Sequence, residues 1–197
     1  MAEVVLFHHA RGLTDGVRAF ADALRSAGHV VHTPDLFEGV LPDSLDAGLA
    51  LIRELGDELD ARADRAVAAL PADLVYAGFS VGEAAAQRLA QTRAGARGAL
   101  LYESCIPVTG EWAFGPWPAG VPAQVHGAEG DEFFAEDLPA ARELVEVAGA
   151  ELFLYPAAGH LFTDSSLPTY DAAAAAVVLE RSVAFLDGLE VMPIRPE

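Results

Sequence analysis

The sequence predicts an α/β protein. It should form a mostly parallel sheet of at least six strands with helices on both faces, as one domain over residues 1–190 followed by a C-terminal tail, 191–197. Three observations carry this. Short runs such as Val4-Val5-Leu6-Phe7 and Leu74-Val75-Tyr76-Ala77 are apolar without alternation, which is how strands buried on both faces read. Longer segments between them repeat apolar residues at spacings of three and four, the pattern of amphipathic helices. At the centre, Gly78-Phe79-Ser80-Val81-Gly82 joins a strand-like run to the helix-like run Glu83-Ala84-Ala85-Ala86-Gln87-Arg88-Leu89-Ala90. A Gly-x-Ser-x-Gly turn in that setting lifts a serine hydroxyl above the sheet, and its glycines leave room for a close chain crossing.

Taken in order, residues 4–9 read as the first strand. Thr14 or Asp15 caps a helix running to about Ala27, with Val17, Phe20, Ala21 and Leu24 on one face, and Gly28 ends it. Residues 29–33 form the second strand, closed by Pro34. Residues 43–70 are helical, in two pieces given Gly48 and Gly56, and Pro71 breaks the pattern. Residues 74–79 form a strand and 81–92 a helix. Residues 98–102 form the next strand. A loop rich in Pro and Gly follows over 104–122 and carries Trp112, Phe114 and Trp117. A strand covers 123–127, a turn 128–131, and a helix follows Pro139. The last strand covers 151–155 and the last helix 169–186.

Composition narrows the function classes. Hydrophobic residues make up 52% of the 197, which excludes a disordered chain. Thirty acidic against 12 basic residues give a formal charge of −18. That balance argues against nucleic acid, against anionic membrane surfaces and against anionic substrates. The lone Cys105 forms no internal disulfide, and no Cys/His cluster has zinc spacing, so no metal and no cofactor is expected. The N-terminus has neither a basic region nor a cleavage site, and the apolar stretch 172–179 is too short to span a membrane. A cytoplasmic location is expected.

In parallel sheets, sites form in the loops at the carboxyl ends of strands. Ser80, His9, Glu103, Asp131 and His160 all sit at such ends. A serine needs a base to take its proton and a carboxylate to orient that base, and in this kind of sheet they follow in the order Ser, Asp, His. His160 is the one histidine of six in the last strand-to-helix loop. His29, His32 and His126 read as structural; His8 and His9 end the first strand, where they either line the pocket or face solvent. The loop after the fifth strand offers Glu129, Asp131 and Glu132, of which Asp131 lies furthest into the turn. The backbone N–H groups of Val81 and Ala10 would hold an oxyanion. Cys105 lacks an elbow and reads as a core residue. Trp112, Phe114 and Trp117 either wall an apolar pocket or pack their own loop against the core. His9, Glu103, Trp112, Trp117 and Phe162 are the candidate pocket residues.

These residues resemble the dienelactone hydrolase family of α/β hydrolases. The resemblance runs nearly full length, through Val4-Val5-Leu6, Thr33-Pro34-Asp35-Leu36-Phe37, Ala77-Gly78-Phe79-Ser80, Val125-His126-Gly127 with Asp131, Gly159-His160-Leu161-Phe162 and Tyr170. It implies a small α/β-hydrolase fold without a cap domain, a triad of Ser80, Asp131 and His160, and the Ala10 N–H in the oxyanion hole. The chain also departs from the family. Founding members carry cysteine in place of Ser80, a glutamate at the position of His9, and a substrate-binding arginine at the position of Asp164. Glu83 replaces a small residue. These departures argue against dienelactone itself and suit a neutral ester or lactone. The expected activity is therefore a serine esterase with a small-molecule substrate, with a homodimer left open. The alternative is a hydrolase-fold binding or regulatory protein with little activity.

Overall fold

In a computed structural model that describes residues 1–191, six strands form one fully parallel sheet in the order β2-β1-β3-β4-β5-β6. The strands are β1 (Glu3–Phe7), β2 (Val30–His32), β3 (Val75–Phe79), β4 (Gly98–Tyr102), β5 (Ala123–Ala128) and β6 (Glu151–Tyr155). β1, β3, β4 and β5 are buried almost throughout, β3 and β4 as their unbroken apolar runs require and β5 with the polar Gln124 and His126 buried in it. The chain steps from β1 out to β2, then returns across β1 to β3, so its direction reverses between β1 and β3. A crevice opens outside the carboxyl ends of strands at such a reversal. Ser80 follows β3 and Ala10 follows β1, one on each side of it.

One face of the sheet is covered by α1 (Asp15–Ser26) and α6 (Ala172–Val191). The other is covered by α2 (Leu45–Leu55), α3 (Asp57–Val67), α4 (Val81–Thr92) and α5 (Glu132–Ala148). Thr14 caps α1, its hydroxyl accepting from Val17 N–H at 3.2 Å, and Val17, Phe20, Ala21 and Leu24 face the sheet. Gly56, at φ +51°, breaks the long helical segment into α2 and α3. The other glycine expected to break it, Gly48, lies inside α2. There a β-carbon would overlap the Ala10 carbonyl, so Gly48 lets α2 press on the loop after β1. There is no cap domain; α2 and α3 border the crevice directly.

Several boundaries differ from the sequence reading by a residue or more, three of them with consequences. β1 stops at Phe7, leaving His8 and His9 in the following loop. α5 starts at Glu132, before Pro139, because Asp131 caps it, accepting from Phe133 N–H at 2.9 Å. Pro139 sits on its exposed side and leaves one turn without its hydrogen bond. α6 begins at Ala172, where the Asp171 carboxylate accepts from Ala173 and Ala174, and runs to Val191. The expected tail thus begins in helix, and its residues 192–197 lie outside the described residues. Among the described residues no helix is long and apolar enough to cross a membrane.

Candidate active site

The turn between β3 and α4 holds Ser80 at φ +50°, ψ −119°, a conformation unfavourable for a residue with a side chain. Packing and hydrogen bonds impose it. Ser80 N–H donates to Tyr102 O at 2.8 Å, and Glu83 N–H donates to Ser80 O at 2.8 Å. A β-carbon on Gly78 would overlap the backbone at Gly82, and one on Gly82 would overlap the carbonyls of Phe7 and His8. Both glycines of the pentapeptide are therefore demanded by close backbone crossings. The serine, 8% exposed, stands at the first turn of α4, where helix N–H groups lack helical partners.

Ser80 Oγ lies 2.8 Å from His160 Nε2, and His160 Nδ1 lies 2.7 Å from Asp131 Oδ2. Of the three carboxylates open in the sequence, it is Asp131 that meets the histidine. Its side chain is fully buried, whereas Glu129 and Glu132 are exposed. Capping α5 with Oδ1 fixes Asp131, so the helix start aims Oδ2 at the imidazole. The Phe133 ring packs on His160, centroid to centroid 4.8 Å. Neither Val81 N–H nor Ala10 N–H donates a hydrogen bond among the described residues.

A cavity of about 430 Å³ opens over Ser80 and His160. Aliphatic residues of α2 and α3, Phe114 and Phe133 line it, with Glu103, Glu136, Asp137 and Asp60. Of the pocket residues expected from the sequence, Glu103 is present and the others are displaced. Trp112 is 78% exposed. Trp117 is in the core, its indole N–H donating to Val121 O at 2.7 Å. Phe162 is fully buried in the core beneath α6. His9 turns away from the cavity: its Nε2 lies 2.7 Å from Asp164 Oδ2, with both side chains 1% exposed. The Thr14 hydroxyl also donates to Asp164, as do the Ser166 N–H and hydroxyl. Burial alone would raise the Asp164 pKa, but His9, Ser166 and Thr14 together pull it down to about 2. His9 and Asp164, loop residues from the two ends of the chain, thus form one buried pair.

The remaining histidines are structural. His8 accepts Leu36 N–H and bonds the His9 carbonyl, and burial lowers its pKa to about 4. His126 bonds Tyr155 and Gln124 within the sheet. Cys105 is buried, as expected. Among the described residues no group of three His, Cys, Asp or Glu could hold a metal ion.

Two glutamates carry unusual burdens. Glu103, at φ +62° after β4, is 1% exposed. Its Oε1 accepts from the Thr163 hydroxyl at 3.0 Å, and its Oε2 has no partner. Burial raises its pKa to about 7, against the opposing pull of His160. Glu83, one turn after Ser80, is completely buried with both oxygens unpartnered. Nearby Ser104 Oγ donates to Asp137 instead, and Ile106 N–H to Gln87. Burial, then the charge of Asp137, raises the Glu83 pKa to about 8.

The lining residues that the sequence reading missed include Asp60 and the aliphatic side chains of α2 and α3, and on α5 Phe133, Glu136 and Asp137. The last three share one face of α5 at helical spacing, a signal hidden while the helix was placed after Pro139.

No curated protein matches the chain in sequence. Solved structures match its fold. A dienelactone hydrolase-like promiscuous phosphotriesterase from metagenomic libraries is 21% identical, with TM-score 0.74, covering 96% of this chain and 87% of its own. A thermophilic esterase from Thermogutta terrifontis, solved with propionate bound, is 15% identical, with TM-score 0.64, covering 99% and 86%. An esterase from Pyrobaculum calidifontis is 15% identical, with TM-score 0.59, covering 98% and 78%. The profile of the dienelactone hydrolase family matches residues 1–189. The chain therefore belongs to the dienelactone hydrolase family, with its α/β-hydrolase fold.

Proposed function

We propose that the protein is a serine hydrolase of small carboxylic esters or lactones that carry no negative charge. One observation carries the reading: the relay from Ser80 Oγ to His160 Nε2 at 2.8 Å and from His160 Nδ1 to Asp131 Oδ2 at 2.7 Å. With the Nδ1 proton held by Asp131, Nε2 is the free base that the serine needs. Ser80 Oγ attacks the carbonyl carbon as Nε2 takes the hydroxyl proton. The Val81 and Ala10 N–H groups face the oxyanion, and the buried Asp131 carboxylate stabilises the imidazolium. The imidazolium then protonates the leaving alcohol, or the ring oxygen of a lactone. Water attacks the acyl-enzyme by the same relay and releases the acid. Carboxylates lining the cavity disfavour an anionic substrate. A binding-only role would be favoured by a histidine turned away from the serine; here it points in.

The test is turnover of short p-nitrophenyl esters, together with labelling by a fluorophosphonate. Ser80→Ala removes both while the thermal unfolding profile stays cooperative. Turnover that survives the substitution refutes the proposal.

A further inference from the structure

The cavity over Ser80 carries one sign of charge. Four carboxylic side chains line it, and among the described residues no lysine or arginine does. Asp60 is partly neutralised by Arg88, whose Nε lies 3.2 Å away. Asp137 Oδ2 accepts from Ser104 Oγ at 2.7 Å and Cys105 N–H at 3.4 Å, neither of which is a cation. Glu136 lies exposed on α5 and, among the described residues, makes no hydrogen bond or ion pair. These facts alone describe an acidic surface.

Glu103 adds a separate observation. It is 1% exposed, lines the cavity with Ser80 and His160, and leaves Oε2 without a donor. A buried carboxylate short of donors is costly, and a cation in the cavity stabilises its charged form. Phe114 and Phe133 also line the cavity, and aromatic rings attract cations. Aromatic side chains, the unpaired Glu136 and a buried carboxyl short of donors together favour a cationic ligand.

We propose that the cavity selects small esters bearing an alkylammonium group, with Glu103, Glu136 and Asp137 as its recognition groups. This rests on the Ser80 hydrolase reading and narrows its substrate class. The formal charge of −18 supports it at longer range by drawing cations toward the protein. The buried Glu103 carboxyl gives up its proton more readily with an ammonium group beside it, so substrate and site reinforce each other.

The test compares isosteres that differ only in charge. Dimethylaminoethyl thioacetate is paired with isopentyl thioacetate, placing the charge on the leaving group. p-Nitrophenyl dimethylglycinate is paired with p-nitrophenyl isovalerate, placing it on the acyl group. Each kcat/KM is divided by the ester's own hydroxide rate, and Ser80-dependent turnover of p-nitrophenyl acetate is measured in the same preparation. The expected result is a preference of about tenfold for the cationic member of at least one pair at low ionic strength, shrinking as salt is added. Glu136→Gln, at an exposed position without structural bonds, lowers that ratio by about twofold, and Glu103→Gln lowers it further. Ratios below about threefold in both pairs, or ratios that neither substitution moves, overturn the inference. Loss of Ser80-dependent p-nitrophenyl acetate turnover overturns the hydrolase reading and this inference with it. Retained turnover with flat ratios overturns this inference alone.

Discussion

Glu83→Gln should change how the stability of the protein responds to pH. Glu83 is completely buried with no hydrogen bond to either oxygen, and its pKa is raised from 4.5 to about 8. Above pH 4.5 the unfolded chain has lost this proton while the folded chain keeps it. The folded state then binds more protons, so stability falls as pH rises toward 8, by up to about 1.4 kcal/mol per unit. Between pH 6.5 and 8 this amounts to roughly 1.5 kcal/mol, less than the full slope because titration of the folded state begins near 8. Glu103, raised to about 7, adds a smaller loss over the same interval. His8, His29 and His126 have lowered values and oppose it, because their unfolded forms bind protons below about pH 6.5. All four groups remain in the variant, so the difference between the two chains isolates Glu83. Urea unfolding at pH 6.5 and 8.0 measures it. The wild type should lose roughly 1.5 kcal/mol more than Glu83→Gln across the interval, a relative shift of the midpoint by about 0.5–1 M. Glu83→Ala should flatten the dependence in the same way without adding an amide. Parallel pH dependences in wild type and variants refute the argument.

Asp131→Asn keeps the oxygen that caps α5 but loses the charge facing His160 Nδ1. kcat on p-nitrophenyl acetate should fall by about a hundredfold to ten-thousandfold, while stability changes by about 1 kcal/mol or less. Gly82→Ala forces a β-carbon into the Phe7 and His8 carbonyls, and thermal unfolding should show a loss of several kcal/mol, on the order of 3, or no folded protein. Asp164→Ala strands His9, Thr14 and Ser166 and should cost about 2–4 kcal/mol in urea unfolding at pH 7. The Asp164 pKa is depressed, so the charge-dependent part of its contribution is full above about pH 4 and fades as pH falls toward 2, where the gap between wild type and variant should narrow.

The helix starts show where local sequence reading works and where it fails. Thr14 precedes α1 as an ordinary cap, and the spacing behind it marks a face that turns out buried. Asp131 is also a cap, but Pro139 eight residues later reads as a helix start by the usual preference for early proline. The helix tolerates it because the missing N–H faces outward. Gly48 and Gly56 look alike in sequence, yet Gly56 breaks the helix at positive φ and Gly48 lies within α2 under the Ala10 carbonyl. Two tryptophans in a Pro/Gly-rich loop suggest a pocket wall by composition. Trp112 faces solvent and Trp117 packs the core, while Phe114 of the same loop joins residues of α2, α3 and α5 in lining the cavity.

The sequence by itself determined what is local. Strand and helix periods, the glycines around Ser80, and the placing of Ser80, Asp131 and His160 at strand ends all follow from residue types at short spacing. Only the tertiary structure decided what depends on strand order and register. Ser80 and His160 are 80 residues apart and Asp131 lies between them. They meet because β3, β4, β5 and β6 lie side by side in parallel, carrying each following loop to one edge. The His9–Asp164 pair spans 155 residues and joins loops from opposite ends of the chain. The orphaned oxygen of Glu103 and the dry carboxyl of Glu83 were likewise invisible, because a side chain's solvation is set by what packs around it, and no local spacing encodes that.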